Sequence, residues 1–428
     1  MTGSWLITLS WFVILFFIIR KVKFFLPENI PFQLVALSFT LKCAGAILMG
    51  LVYTYYYKGG DTFVLFSDSS IMFEALKSHP ADYFKMLFGI DSGNDYLKEM
   101  YYSKMNAWYN NEFDLLFNDS RIIIRINSVL RIFSFGEYYV HAIFFSFLSF
   151  AGLTALYRAF SSAVKKHHQL FYAGIFFLPS VAFWGSGALK EAIVLFAAGF
   201  LVYSSLRLME KKSIVNFLIL ISSVFLLVLT RFYFLIALFP GLTGLLIASN
   251  RKNVWQKFAV THLVWFVALY SFYFVNPSCD VPCIIAVKQN NFVNLANYSK
   301  SGSIITQEKL KPDWSDILKK SPAAFIIALT QPQSFSKGNI FLRIASLETL
   351  FILLMLIEAI ILFRVPSKED VPLLLFCLSF TVITFTFLGL TTPVAGTFVR
   401  YKIIALPFLI FLAGYFISNS KLFVKNTV

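Results

Sequence analysis

The chain has 428 residues, of which 58% are hydrophobic and only 14% charged, and its mean hydropathy is +0.72. Soluble domains average about 45–50% apolar and about 25% charged residues, so these values exclude a disordered chain, a disulfide scaffold and an ordinary soluble enzyme. They point to an all-α, polytopic membrane protein. The net charge of +15 is then read as positive-inside bias rather than as a nucleic-acid footprint, and no nucleic-acid partner is expected.

A crossing helix needs about 20 mostly apolar residues. Eleven segments qualify, at residues 4–20, 33–56, 138–157, 169–184, 188–206, 213–230, 232–249, 258–275, 340–363, 371–390 and 398–417. The first lacks a basic region before it and a small-residue cleavage site after it, and reads as a retained anchor. Between the second and third lies a long polar loop, residues 57–137. Its Ile71–Gly89 stretch mixes Met72, Phe73, Leu76, Tyr83, Phe84 and Leu87 with Lys77 and Lys85, a pattern suited to helices on a membrane surface. Pro80 splits that stretch into two short helices. A second long loop, residues 276–339, carries Asn-Pro, Ser-Pro and Gln-Pro steps and reads as turns with a short helix. The whole, 1–428, reads as a single transmembrane domain.

Charge sets the orientation. Sixteen basic residues follow the odd-numbered segments: Arg20, Lys21, Lys23, Arg158, Lys165, Lys166, Arg207, Lys211, Lys212, Arg251, Lys252, Lys257, Arg364, Lys368, Lys421 and Lys425. Only Glu28, Glu210, Glu369 and Asp370 oppose them on that side. That side is expected to be cytoplasmic, with the N-terminus outside, the C-terminus inside and both long loops extracytoplasmic.

On this topology the polar residues of the helix ends gather at the outer face, where ionisable groups in a membrane are costly and often functional. Asp61 and Asp68 lie in GGDTFVLFSD. Lys190 and Glu191 lie in FWGSGALKE, in an outer hairpin between segments four and five. Arg231 (LTRFYF) lies in an outer hairpin between segments six and seven. Arg400, Tyr401 and Lys402 (GTFVRYK) open segment eleven, and Glu348 sits a few turns into segment nine. Each also has a plain reading. Asp61 and Asp68 are open to being caps or turn residues, the cations to being interfacial anchors, and Glu191 to pairing with Lys190 or another nearby cation.

Gly185, Ser186 and Gly187 break the helix and allow close approach to the backbone. The next helix begins with free N–H groups and a positive dipole end, which favours an anion. Lys190 adds a full charge, so Ser186, Gly187, Lys190, Arg231, Arg400 and Lys402 form the candidate phosphate-binding set. Deeper charges are Lys42 and Glu358, read either as a buried pair or as marks of a proton or substrate path. The histidines His79, His141, His167, His168 and His262 show no ligand spacing, so no metal is expected. Cys279 and Cys283 are spaced for a small disulfide in an oxidising compartment. No Walker A, dinucleotide or nucleophile-elbow motif is present, and no cofactor is indicated.

The YYYKGGDTF motif followed by a long outer loop and many spans resembles the layout of the GT-C class of integral-membrane glycosyltransferases. LPSVAFWGSGALKEAI and GTFVRYKIIALPF also resemble bacterial membrane proteins near polysaccharide polymerases of the Wzy and EpsG type. The first resemblance implies a polyprenyl-linked sugar donor and an acidic catalytic residue in the first outer loop, which maps to Asp61, with Asp68 beside it. The second implies outer arginines instead, which maps to Arg231 and Arg400. The expected function is transfer of a sugar or glycan from a lipid-linked donor to a glycan or other hydroxyl acceptor, at the outer face of a bacterial cytoplasmic membrane. The expected site is an outward cavity roofed by the first loop. The alternatives are a transporter or flippase for lipid-linked glycans or another anion, and a structural subunit of an envelope complex.

Overall fold

The computed structural model describes residues 2–109, 119–277, 280–298, 303–305, 307–333 and 340–419. Regular structure among them is helical; the one β-type contact is a single bridge between Ile304 and Val394. Seven helices among the described residues are long and apolar enough to cross a membrane, and eight if one bent pair counts as a span. The chain is a polytopic helical membrane protein. It divides into two compact units.

The first unit comprises residues 1–155, 181–204 and 217–232. Helices α1 (Thr2–Lys21) and α2 (Phe32–Leu51) open it, and α2 ends in one π-helical turn, Val52–Tyr56. Tyr55, Tyr56 and Tyr57 there are exposed, as interfacial aromatics are. The loop-one region then forms α3 (Asp61–Ser78), α4 (Pro80–Phe88), α5 (Asp95–Met100) and α6 (Ser120–Ser134). The break expected at Pro80 is present: α3 ends at Ser78 and Pro80 opens α4. These helices do more than lie on a surface. Leu65, Met72, Tyr83, Met86, Leu97, Tyr102, Trp108, Ile123 and Ile124 are buried in one core, joined by Tyr138, Ala188, Ala192 and Ile193. Phe84, Phe88 and Ile90 stay exposed.

Helices α7 (Tyr138–Phe160) and α10 (Lys190–Glu210) cross where neither has a side chain. A Cβ on Gly199 would lie 2.0 Å from the Gly152 carbonyl oxygen, so this is a glycine-only contact of the kind membrane helices use to approach closely.

The second unit comprises residues 156–180, 205–216 and 233–428. Expected segment four is not one helix. The chain forms α8 (His168–Phe176), breaks at Phe177 and Leu178, and starts α9 (Pro179–Trp184). Segments six and seven meet at a kink: α11 (Ile214–Ile247) is two helical stretches broken at Arg231, which leaves helical geometry (φ −144°, ψ 71°), at the boundary expected from the sequence.

Next come α12 (Val254–Val275), α13 (Val281–Tyr298) and α14 (Trp314–Thr330). Loop two is therefore more helical than its prolines suggest. Asn276-Pro277 and Gln331-Pro332 do stop helices, but Pro322 sits inside α14. The apolar run Ala323–Leu329 outweighs the lost hydrogen bond, because it packs along α16 (Val371–Thr391). A Cβ on Gly389 of α16 would come within 2.0 Å of the Ala324 carbonyl oxygen. Between α14 and α16 runs α15 (Ile340–Ile361), and the chain closes with α17 (Ala395–Lys402) and α18 (Leu406–Ser418), bent by 63°. Cys283 is an exposed residue of α13, and Cys279, Lys421 and Lys425 lie outside the described residues.

Candidate active site

Three helix starts converge in the first unit. Thr62, the second residue of α3, accepts a hydrogen bond from the Tyr138 hydroxyl (2.6 Å) and donates to the Ala188 carbonyl (3.4 Å). That places the beginning of α3 beside the beginning of α10. The Lys190 ammonium, at the start of α10, donates to Ser120 Oγ (3.2 Å) at the start of α6. Each helix start carries a positive dipole end.

Around them sits an ion-pair network. Lys190 pairs with the Asp119 carboxylate. The other oxygen of Asp119 lies 3.5 Å from Arg231 Nη1, and Arg231 Nη2 lies 3.2 Å from Glu191 Oε1. Asp61, the first residue of α3 and exposed, is near enough to attract the Lys190 ammonium, while Arg231 repels it. The Glu191 side chain is only 2% exposed, against 26% for Asp119. The structure thus brings together four of the residues singled out in the sequence: Asp61, Lys190, Glu191 and Arg231. The non-helical backbone of α11 falls at Arg231, the residue that reaches the cluster.

Asp119 was not singled out. An Asp-Ser step before an amphipathic stretch reads as an ordinary N-cap. Here Asp119 has αR backbone and no capping bond; its carboxylate is turned to the cations.

Three arginines of α6 also escaped the sequence reading. Arg121 Nε donates to the Trp108 carbonyl (3.1 Å), Arg125 Nε to Met86 (2.8 Å), and Arg131 to Phe66 (2.6 Å) and to Ser69 Oγ (2.8 Å). They strap α6 to the rest of the loop-one core and so hold its start at the cluster. Burial pushes the Arg125 and Arg131 guanidinium groups below the usual arginine range. Nearby, burial and then the hydrogen bond to Asp82 push the Tyr101 phenol up to about 12.

Other predicted residues have structural work. Asp68 is 1% exposed, and its carboxylate accepts the backbone N–H groups of Asn106 (3.0 Å) and Ala107 (2.7 Å). It is a staple for loop one. Ser186 is fully buried; its hydroxyl donates to Ala182 O and its carbonyl accepts from Ser146 Oγ (2.7 Å). A Cβ on Gly187 would lie 2.0 Å from Met49 Sδ. The Gly185–Gly187 stretch is therefore packed against α2. Lys42 is fully buried and donates to the Val181 carbonyl (3.3 Å), whereas Glu358 is exposed on α15.

A sealed relay joins α6 to α7. Asn127 Nδ2 donates to the Ile123 carbonyl, so its oxygen faces His141 Nδ1 (2.7 Å), which must carry the proton. In the neutral ring Nε2 then accepts from Ser134 Oγ (2.7 Å). All three side chains are fully buried, so this Ser-His-Asn set is a strut without access for a substrate.

The remaining candidates lie in the second unit. Glu348 accepts from the Ser180 backbone N–H (2.7 Å) and hydroxyl (2.5 Å), which caps the start of α9. Lys402 is buried, donates to the Gln331 carbonyl (3.2 Å), lies 5.5 Å over the Phe385 ring and feels the Glu348 charge. Tyr401 is buried edge-on to Phe292, and Arg400 is half-buried. Among the described residues no group of three or more His, Cys, Asp or Glu side chains is gathered to hold a metal ion.

No family model, no curated protein and no solved structure matches the chain.

Proposed function

We propose that the chain transfers a sugar or glycan from a polyprenyl-linked donor to a hydroxyl acceptor at the outer face of a bacterial cytoplasmic membrane. One observation carries the reading: two cations, Lys190 and Arg231, meet three helix starts beside the exposed carboxylate of Asp61. Such a place suits a phosphate or pyrophosphate. In the proposed reaction Asp61 takes the proton of the acceptor hydroxyl. The acceptor oxygen bonds to the anomeric carbon as the bond from that carbon to the phosphate oxygen breaks. Lys190 and Arg231 hold the charge that develops on the leaving phosphate. The residues required all belong to the first unit. The structural roles of Glu348 and Asp68 support leaving both out of the chemistry.

The test is mass spectrometry of lipid-linked glycans from cells carrying the native protein, no protein, or Asp61→Asn. Accumulation of a lipid-linked sugar or repeat unit in both defective strains is the expected result. Accumulation in the null strain alone removes Asp61 from the mechanism. Lipid pools that never change remove glycan transfer altogether and leave transport, for which the fully buried Lys42 of α2 is the residue to follow.

A further inference from the structure

We infer that Asp119 is a built-in competitor for the substrate's phosphate: its carboxylate occupies the place between Lys190 and Arg231 that the phosphate must take, and the site loads only when Asp119 swings away. The inference rests on reading those two cations as the phosphate-binding pair.

The two acids that meet Arg231 are not equivalent. Glu191 is sealed, at 2% exposure, and is the fixed partner. Asp119 is partly open to solvent and bridges both cations, one oxygen to each. Its position at the start of α6 would ordinarily spend the carboxylate on a backbone N–H, yet no capping bond is made. A forked anion therefore already sits where three helix starts and two cations converge, in the geometry that a phosphate's oxygens would reproduce. Both anions cannot stay. Asp61 already adds negative charge beside Lys190, and a phosphate alongside Asp119 would place like charges within a few ångströms in a partly dry site.

The experiment is calorimetric titration of the full-length protein in detergent with inorganic pyrophosphate. The proteins compared are native, Asp119→Asn, Asp119→Glu and Lys190→Gln, each first checked by its thermal melt. Asp119→Asn is expected to bind at least about tenfold more tightly than native, since a tenfold change needs only about 1.4 kcal/mol, while Asp119→Glu, which keeps the charge, gains nothing. Lys190→Gln is expected to lose binding. If Asp119→Asn binds no better than native while Lys190→Gln still abolishes binding, the competitor role is wrong and the phosphate-site reading stands. If Lys190→Gln binds as native does, or if no protein binds, the phosphate-site reading falls and the role of Asp119 falls with it.

Discussion

Glu191 and Arg231 meet at 3.2 Å, one carboxylate oxygen to one guanidinium nitrogen, with 2% and 11% of their side chains exposed. The pair ties the start of α10 to the single non-helical residue of α11. A buried pair of this kind contributes little net stability compared with apolar residues of the same size, but removing one partner strands a charge.

Arg231→Met is therefore expected to destabilise the protein by about 3–5 kcal/mol, read as a fall in the thermal midpoint in detergent. The double change Arg231→Met with Glu191→Leu is expected to recover most of that loss while leaving activity absent. A double variant no more stable than the single one would show that the pair is not what Arg231 contributes to the fold.

Asp68 is expected to act through folding alone. Asp68→Asn keeps one acceptor oxygen but loses the charge that holds the Asn106 and Ala107 N–H groups. Charge-assisted bonds of this sort are worth about 1.5–3 kcal/mol. Limited proteolysis should show faster cleavage near residues 106–107. Turnover per folded molecule should stay near native; a loss of turnover without faster cleavage would return Asp68 to the chemistry.

Membrane class and the break at Pro80 were legible in the sequence because each is local: apolar length and a missing N–H. The convergence of Asp61, Lys190, Glu191 and Arg231 was also legible, since all four are costly groups at helix ends. Asp119 was not, because its neighbours in sequence explain it as a cap and only long-range packing shows otherwise. The break at Arg231 was legible as well, because one charged residue interrupts the hydropathy and the helix is kinked at that residue. In loop two, Ser321-Pro322 reads as a stop, and only the contact of α14 with α16 keeps the helix intact.

The glycine stretch before α10 gives a packing prediction. A methyl group on Gly187 would overlap Met49 Sδ, and overpacking a dense interior costs about 1–3 kcal/mol. Gly187→Ala is expected to lower the thermal midpoint, and Met49→Ala in the same chain to restore part of it by opening space. If Gly187→Ala is stable but fails to bind pyrophosphate, the backbone at Gly187 faces a ligand after all.

Tyr101 supplies a pH signature of the loop-one core. An ordinary tyrosine ionises near pH 10, whereas burial and then the Asp82 hydrogen bond hold this one up to about 12. The folded state thus keeps a proton that the unfolded state releases first. The sign follows from proton linkage: the contribution of Tyr101 is fully present below about pH 10 and is lost as pH rises towards about 12. Thermal midpoints measured across that window should fall for the native protein, and fall less for Tyr101→Phe, which has no proton to lose. Equal slopes for the two proteins would mean that Tyr101 does not hold its proton more tightly in the folded state than in the unfolded one.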